Sequence, residues 1–173
     1  DNTALLTALK KGLHATVILD VWEPEPAINV ELLEHVHIGT PHIAGYSYDG
    51  KLNGTEMIYQ RCCHHFNQPI KHSLSQLVPP LNADVLRIPH TLSDPFSKVQ
   101  YAIKQVYDIR ADDQRLREAA TLSAEYDESI AERFDELRKH YPRRREFHNY
   151  NVCTDTLTAE EVSWFTAIGF NCV

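Results

Sequence analysis

The sequence has neither the long apolar segments of a membrane protein nor the positive charge of a general nucleic-acid-binding protein. No apolar run approaches the roughly 18 to 20 residues that cross a bilayer. The formal net charge is −7 over 173 residues, which disfavours broad affinity for nucleic acid or membrane surfaces. Hydrophobic residues make up 43% of the chain and charged residues 24%, as in globular domains that bury a core. We therefore expect neither nucleic acid nor a membrane as a partner.

Cysteine is also scarce, and its positions do not suggest a disulfide framework. The vicinal pair Cys62 and Cys63 falls on a predicted helix, and the other two are Cys153 and Cys172. A chain of this size does not need disulfide cross-links, so we expect reduced thiols in a cytoplasmic protein. A metal site at residues 62–65 is disfavoured because four consecutive helical side chains point around the axis, whereas metal ligands converge. We expect no metal site.

The six glycines form no GxGxxG phosphate loop, although the first part of the chain has the element order of a nucleotide-binding domain. The predicted elements are a helix over residues 4–11, a buried parallel strand over 15–19, a second strand from 36 to 38 and a helix over 49–67. Asn2 or Thr3 would cap the first helix and Gly12 would stop it. This order is half of a doubly wound α/β domain. Because a two-stranded sheet is not stable alone, we expect residues before Asp1 to carry the rest.

Three polar side chains fall just beyond the carboxyl ends of the two predicted strands. Asp20 ends the first strand, Glu25 follows between two prolines, and His42 follows the second strand. In open α/β sheets, ligands bind beyond the carboxyl ends of the strands. An imidazole suits proton transfer near neutral pH, and a carboxylate at its other ring nitrogen would fix the tautomer and stabilise the imidazolium. We therefore predict that His42 and Glu25 form a catalytic dyad.

Each of these residues also has a purely structural interpretation. Asp20 could cap the turn that follows it, Glu25 could be a solvated loop acid, and His42 could be an ordinary loop histidine. The catalytic interpretation is favoured by the joint spacing of two stretches, LDVWEPEP at residues 19–26 and TPHIAGYS at residues 40–47, taken together with the family resemblance that they carry.

The two stretches and the helix before them resemble the C-terminal end of the NAD-binding domain of the D-isomer-specific 2-hydroxyacid dehydrogenases. The resemblance over residues 1–67 rests on residues 4–9, Gly12, Ala15, residues 19–21, Glu25, Pro26, Leu32, Leu33 and residues 40–45. It implies a Rossmann-type doubly wound domain, NAD as the cofactor and a small phosphorylated 2-hydroxy acid as the substrate.

The resemblance also implies a role for each site residue. His42 would be the acid–base catalyst with Glu25 as its partner, Asp20 and Gly45 would bind the cofactor, and Tyr46 would bind the substrate. The family's third catalytic residue is an arginine before the first helix. It has no counterpart here, since the first arginine of this chain is Arg61. We therefore expect the C-terminal portion of a longer enzyme, inactive by itself.

The last hundred residues predict a separate module. Residues 68–81 contain three prolines among polar residues and predict a linker, which divides the chain into an NAD-binding end at 1–67 and an α+β domain at 82–173. The predicted helices run from Asp94 and Pro95 to about Ile109, from Asp112 or Asp113 to Pro142, and from a Thr158–Glu161 capping box to Gly169. The resemblance implies that this α+β domain mediates homodimerisation.

Several alternatives stay open at the level of the sequence. The run Arg143, Arg144 and Arg145 could receive a phosphate, but a solvated or acid-paired surface run is favoured. Trp164 and Phe165 favour core packing. The chain could also belong to another phosphorylated 2-hydroxy acid dehydrogenase, such as one acting on 3-phosphoglycerate, to a dinucleotide-sensing transcriptional corepressor of the same fold, or to a structural fragment. NAD and NADP are not distinguished, because the acid that reads the ribose would lie upstream.

Overall fold

The computed structural model describes residues 1–73, 78, 81 and 83–173, which form a mixed helix-and-strand chain. In chain order, the elements are α1 (Asn2–Lys10), β1 (Ile18–Leu19), α2 (Val30–His35), β2 (Ile38–Gly39), α3 (Tyr48–His65), α4 (Pro95–Val106), α5 (Ile109–Tyr126), α6 (Ile130–Lys139), β3 (Asn151–Val152), α7 (Ala159–Ile168) and β4 (Asn171–Cys172). They form two compact units. The first unit is Asp1–Gly45 with Asp108–Pro142, and the second is Tyr46–Tyr107 with Arg143–Val173.

The first unit opens with a capped helix. The carboxylate of Asp1 accepts a hydrogen bond from the Ala4 N–H at 2.9 Å, so Asp1 caps α1. The predicted caps at Asn2 and Thr3 are wrong, because both residues already lie at the start of the helix. Gly12 follows the helix at φ +92°, a backbone conformation that glycine adopts without steric cost. Its predicted role as the stop is confirmed.

The two predicted strands pair in parallel, but they are shorter than the sequence suggested. Ile18 pairs with Ile38, and Leu19 pairs with Gly39. Burial on both faces was predicted for residues 15–19, and this prediction is wrong because Ile18 is 56% exposed. Within the described residues β1 pairs only with β2, so no described strand pairs with its other edge. A doubly wound sheet needs more strands and stays a prediction.

The core of the first unit draws on both of its sequence segments. Leu32 and Leu33 on α2 are buried together with Leu116 on α5 and Phe134 on α6. Each fully buried side chain of this type contributes about 2 kcal/mol relative to exposure. Helix α2, which carries Leu32 and Leu33, is capped by Asn29, whose side chain accepts from the Leu32 N–H at 3.1 Å.

Two helices replace the single long helix that was predicted to end at Pro142. Helix α5 ends at Tyr126, and Asp127 follows in the left-handed conformation with φ 52°. Aspartate is one of the few residues with a side chain that visit this region. The Glu128 N–H then donates to the Ser123 carbonyl at 3.0 Å, and Ser129 begins α6. The apolar pattern continues across the break, which is why the sequence alone did not reveal it.

The second unit contains most of the predicted caps. Asp94 accepts from the Ser97 N–H at 2.7 Å, which confirms the predicted start of α4, although this helix ends at Val106. Thr158 and Glu161 form the predicted capping box of α7. Gly169 ends α7 at φ +112°, as predicted. Strands β3 and β4 pair in parallel, and β4 had no counterpart among the predicted strands.

Several apolar side chains of α3 are exposed in the second unit. Met57, Ile58 and Phe66 are 66%, 73% and 63% exposed, whereas Asp49 and Cys63 are buried. The described residues of the second unit therefore pack on another side of this helix. Cys62 and Cys63 are free thiols, as are the remaining two cysteines.

A buried ion pair joins the start of α3 to the segment after α6. The Nε of Arg145 donates to both carboxylate oxygens of Asp49 at 3.0 Å, and the Glu146 N–H donates to Asp49 at 2.7 Å. The predicted surface run is therefore wrong for Arg145, which is acid-paired but buried. Arg143 and Arg144 lie over the rings of Tyr48 and Tyr107.

Phe165 is fully buried in the core of the second unit, as predicted, whereas Trp164 is exposed. The two side chains are neighbours on α7 and point to different sides of the helix. The prediction of core packing is therefore confirmed for one residue and wrong for the other.

The compact units are discontinuous in sequence, whereas the predicted domains are continuous. Residues 108–142 pack with residues 1–45, although the predicted boundaries lie at 67 and 82. The predicted linker covers residues 68–81, of which 74–77, 79 and 80 lie outside the described residues, as does residue 82. The division into 1–67, 68–81 and 82–173 stays a prediction.

The buried ion pair predicts a pH-dependent stability. Burial raises the pKa of Asp49, but the hydrogen bonds from Arg145 and from the Glu146 N–H outweigh it and hold the pKa below its ordinary value. The ionised carboxylate therefore stabilises the folded chain above about pH 4, and this contribution is lost as the pH falls through the folded-state pKa.

We expect Asp49→Asn to lower the free energy of unfolding by about 3 kcal/mol at pH 7, because it leaves the buried Arg145 charge without its acid. Urea unfolding at several pH values measures the effect, and the difference from wild type should shrink below about pH 4. Asp84→Asn, at an exposed position of the same unit, is the matched control. An equal loss at pH 3 and pH 7 would contradict the assignment.

Candidate active site

Asp20 connects the carboxyl ends of the paired strands. It directly follows β1, and its Oδ1 accepts hydrogen bonds from the Thr40 hydroxyl at 2.6 Å and from the Ile43 N–H at 2.7 Å. Its Oδ2 accepts from the Ala44 N–H at 3.1 Å. The carboxylate therefore fixes the loop that follows β2. Asp20 therefore acts as a cap, as its structural interpretation suggested. The segment that it caps is the loop after β2, and not the turn that follows Asp20.

Glu25 and His42 are in direct contact. Glu25 Oε2 lies 2.7 Å from His42 Nδ1, while Glu25 Oε1 accepts from the Trp22 N–H at 2.7 Å. An ionised carboxylate only accepts hydrogen bonds, so Nδ1 carries the proton. The other ring nitrogen, Nε2, is then the one that can exchange a proton with a ligand. The Glu25 side chain is 19% exposed and the His42 side chain 45%, so the imidazole remains accessible.

Trp22 supports both members of this pair. Its backbone N–H holds Glu25, and its indole Nε1 donates to the Thr40 carbonyl at 2.9 Å, two residues before His42. The side chain is 2% exposed. A Cβ on Gly39 would lie 3.0 Å from the indole and 2.5 Å from Leu33 Cδ1, so only glycine fits beneath the ring.

Neither Trp22 nor Thr40 was predicted as a site residue. Both lie inside the stretches that carry the predicted residues, and that position is the only signal in the sequence. Their roles come from hydrogen bonds to the backbone or to Asp20 across about twenty residues of chain. The spacing of nearby residues in the sequence does not reveal contacts of this kind.

The remaining predicted positions are Gly45 and Tyr46. A Cβ on Gly45 would meet nothing within 4 Å, so this position faces open space. Tyr46 belongs to the second unit, where the Lys51 ammonium lies 3.7 Å from its ring centroid. The structure therefore brings together Asp20, Glu25 and His42 within the first unit.

The described residues contain neither a metal-binding cluster nor a membrane-spanning helix that would compete with this region. Within the described ranges, no group of three or more His, Cys, Asp or Glu side chains could hold a metal ion. None of the helices seen in the described part of the chain has the length and hydropathy needed to cross a membrane. What stands out chemically is a histidine whose Nδ1 is held by a carboxylate, at the carboxyl end of paired parallel strands. Fold and site together give a mixed helix-and-strand chain with a histidine–carboxylate contact beside its paired parallel strands.

Comparison with known proteins places the chain in a family. Residues 77–169 match the family model described as "Domain of unknown function (DUF3410)". The match spans more than half of the 173 residues, so the chain belongs to the DUF3410 family. The matched residues include α5 and α6 of the first unit together with α4 and α7 of the second.

The chain is also similar to curated proteins named "Erythronate-4-phosphate dehydrogenase". It is 54% identical over all 173 residues to the protein of that name from Cellvibrio japonicus, and covers 46% of its length. It is 43% identical to that from Proteus mirabilis over 99% of the chain and 42% of the relative. With the protein from Yersinia enterocolitica, the identity is 44% over 92% of the chain and 40% of the relative. The predicted resemblance to a dehydrogenase is confirmed, and the chain spans less than half the length of these relatives.

The position of Trp22 predicts a specific loss on substitution. Trp22→Phe keeps an aromatic ring but removes the indole N–H, which leaves the Thr40 carbonyl without this buried donor. We expect the free energy of unfolding to fall by about 2 kcal/mol, as measured by urea denaturation. The matched control is Trp164→Phe, at the exposed second tryptophan of the chain. Equal stabilities of the two variants would contradict the role of the indole.

Proposed function

We propose that this chain is the C-terminal part of an NAD-dependent dehydrogenase that oxidises 4-phospho-D-erythronate to the 2-oxo acid. The resemblance places this reaction in bacterial pyridoxal 5'-phosphate biosynthesis. The observation that carries the proposal is the 2.7 Å contact between His42 Nδ1 and Glu25 Oε2. The names of the relatives supply the substrate, since no described residue selects a four-carbon phosphorylated acid.

The His42–Glu25 pair can perform the proton transfer that this reaction requires. As the alcohol at C2 becomes a ketone, His42 Nε2 takes the hydroxyl proton, and the imidazolium that forms is stabilised by the adjacent Glu25 carboxylate. In the reverse direction His42 returns the proton as a general acid. The bound nicotinamide supplies the acceptor for the hydride that leaves C2. Glu25 keeps the ring in one orientation, because both of its carboxylate oxygens are held.

Two residues of the first unit fit the nicotinamide end of a dinucleotide. Asp20 Oδ2 accepts one hydrogen bond, from Ala44, and a carboxylate oxygen has capacity for a second donor such as a carboxamide N–H. Gly45 leaves open space where a Cβ would otherwise project. Asp20 follows β1 and contacts the loop after β2, and Gly45 follows in that loop. Both lie at the sheet edge at which α/β proteins bind ligands. The choice of NAD over NADP rests on the resemblance, as does the assignment of Tyr46 to substrate binding.

The complete subunit is required for this activity. The chain covers 46% of the length of the Cellvibrio japonicus relative, and the sequence contains no GxGxxG loop. We propose that the rest of the subunit supplies this loop, the remaining strands of a doubly wound domain and the arginine that holds the substrate carboxylate. We also propose a cytoplasmic homodimer that assembles through the DUF3410 region.

The catalytic proposal predicts unequal effects of two histidine substitutions in the full-length protein. We expect His42→Gln to lower kcat at least about 100-fold with 4-phospho-D-erythronate and NAD, because proton transfer loses its base. Stopped-flow or steady-state NADH absorbance measures the rate. His14→Gln, at an exposed histidine of the same unit, should leave kcat unchanged. Normal turnover by the His42→Gln variant would show that His42 is not the catalytic base. An inactive wild-type protein would contradict the proposed reaction.

The oligomer proposal has a separate test. Sedimentation equilibrium of the full-length protein at about 10 μM should give the mass of two subunits. A full-length protein that remains a single subunit up to about 100 μM would contradict the homodimer.

A further inference from the structure

Helix α5 covers the edge of β2 that faces away from β1. Along β2, Ile38 and Thr40 donate their N–H groups to the Val17 and Leu19 carbonyls at 3.4 and 2.8 Å. The N–H of Gly39, between them, points to the opposite edge, as alternation along a strand requires. There it donates to Asp113 Oδ1 on α5 at 2.7 Å. The carboxylate occupies the place that a further strand would take.

Arg117, one turn further along α5, extends this contact. Its Nε donates to both carboxylate oxygens of Asp113 at 3.0 Å, so the guanidinium holds the carboxylate that receives the Gly39 N–H. Its two terminal nitrogens donate to the Leu33 carbonyl at 2.8 Å and the Val36 carbonyl at 3.0 Å. These carbonyls belong to the end of α2, where backbone acceptors lack partners within the helix.

Apolar packing also holds α5 in this position against α2. Leu116 and Ala120 lie on α5 and belong to the same buried cluster as Leu32 and Leu33 on α2. Asp113 and Arg117 are one turn apart, as are Leu116 and Ala120, so the two pairs lie on adjoining faces of one helix. Helix α5 therefore contacts the segment from α2 to β2 through both polar and apolar side chains.

We infer that Asp113 and Arg117 are positioning residues, and that α5 holds β2 so that His42 is set against Glu25. Gly39 is three residues before His42, so a shift of β2 moves the imidazole with it. The inference rests on the proposed function only for its catalytic consequence. It gives the DUF3410 region a part in shaping the active site, in addition to the proposed part in dimerisation.

The test uses three variants of the full-length protein. Asp113→Ala removes the acceptor of the Gly39 N–H, and Asp113→Asn keeps an acceptor oxygen while removing the charge. Arg117→Lys keeps the charge but loses the planar fork that reaches two carbonyls and one carboxylate. The matched control is Arg110→Lys, on an exposed position of the same helix. Thermal unfolding shows that each variant is folded at the assay temperature, and Arg117→Lys serves as the milder change if Asp113→Ala does not fold.

Two readouts separate a holding role from a merely structural one. Hydrogen–deuterium exchange of peptides that cover residues 37–44 reports directly on β2 and the His42 loop. The second readout is kcat, KM and the pH profile with 4-phospho-D-erythronate. We expect Asp113→Ala and Arg117→Lys to exchange at least about tenfold faster in this segment and to lose about tenfold in kcat with little change in KM, since a misplaced catalytic group costs rate. Asp113→Asn should retain most of the rate, and Arg110→Lys should match wild type.

Each contrary result has a distinct meaning. Wild-type exchange at residues 37–44 in both Asp113→Ala and Arg117→Lys would show that α5 does not hold β2. Faster exchange with unchanged kcat and pH profile would overturn the positioning role and leave only a structural contact. Absence of activity in the wild type would overturn the proposed function, and the exchange measurement would then decide alone whether α5 holds the strand.

Discussion

The parallel pairing of Ile18–Leu19 with Ile38–Gly39 is the constraint on which the candidate site depends. It brings together two loops whose site residues are 17 positions apart in sequence, because both loops leave the same edge of the sheet. Asp20 then fixes the second loop, and Trp22 ties the backbone of the second loop to the carboxylate of the first. The contact between Glu25 and His42 follows from these three restraints.

The contact between Glu25 and His42 could be predicted from the sequence because it depends on a local rule. Polar residues just beyond two apolar β-branched runs must meet if the strands are parallel neighbours, so Asp20, Glu25 and His42 were all identified. Helix caps such as Asp94 and Thr158 were equally local. In contrast, the supports supplied by Trp22 and Asp113 depend on contacts between residues 18 and 74 positions apart, and no spacing rule predicts such contacts.

The failed predictions have a common physical cause. The exposed Ile18 was assigned to a buried strand because an apolar run shows which residues are apolar but not what covers them. The reverse holds for Arg145, whose charge suggested a surface position although its side chain is buried with that of Asp49. The hydrophobic pattern and the charges therefore predicted the helices and strands better than they predicted which residues pack against each other.

The DUF3410 match and the compact units divide the chain differently. The family match runs from residue 77 to 169, yet residues 108–142 share a core with residues 1–45. A region matched as one family therefore contributes α5 and α6 to the unit that carries His42. Substitutions in this region are therefore expected to affect the unit that carries His42 as well as the second unit.

The claim that His42 and Glu25 act as one unit is tested most directly by a double-mutant cycle on kcat/KM in the full-length protein. The cycle compares Glu25→Gln, His42→Gln and the double variant with wild type. If the carboxylate works through the imidazole, Glu25→Gln should cost about 10-fold or more in the wild type and almost nothing once His42 is replaced. Losses that multiply in the double variant would show that the two residues act independently and would contradict the account.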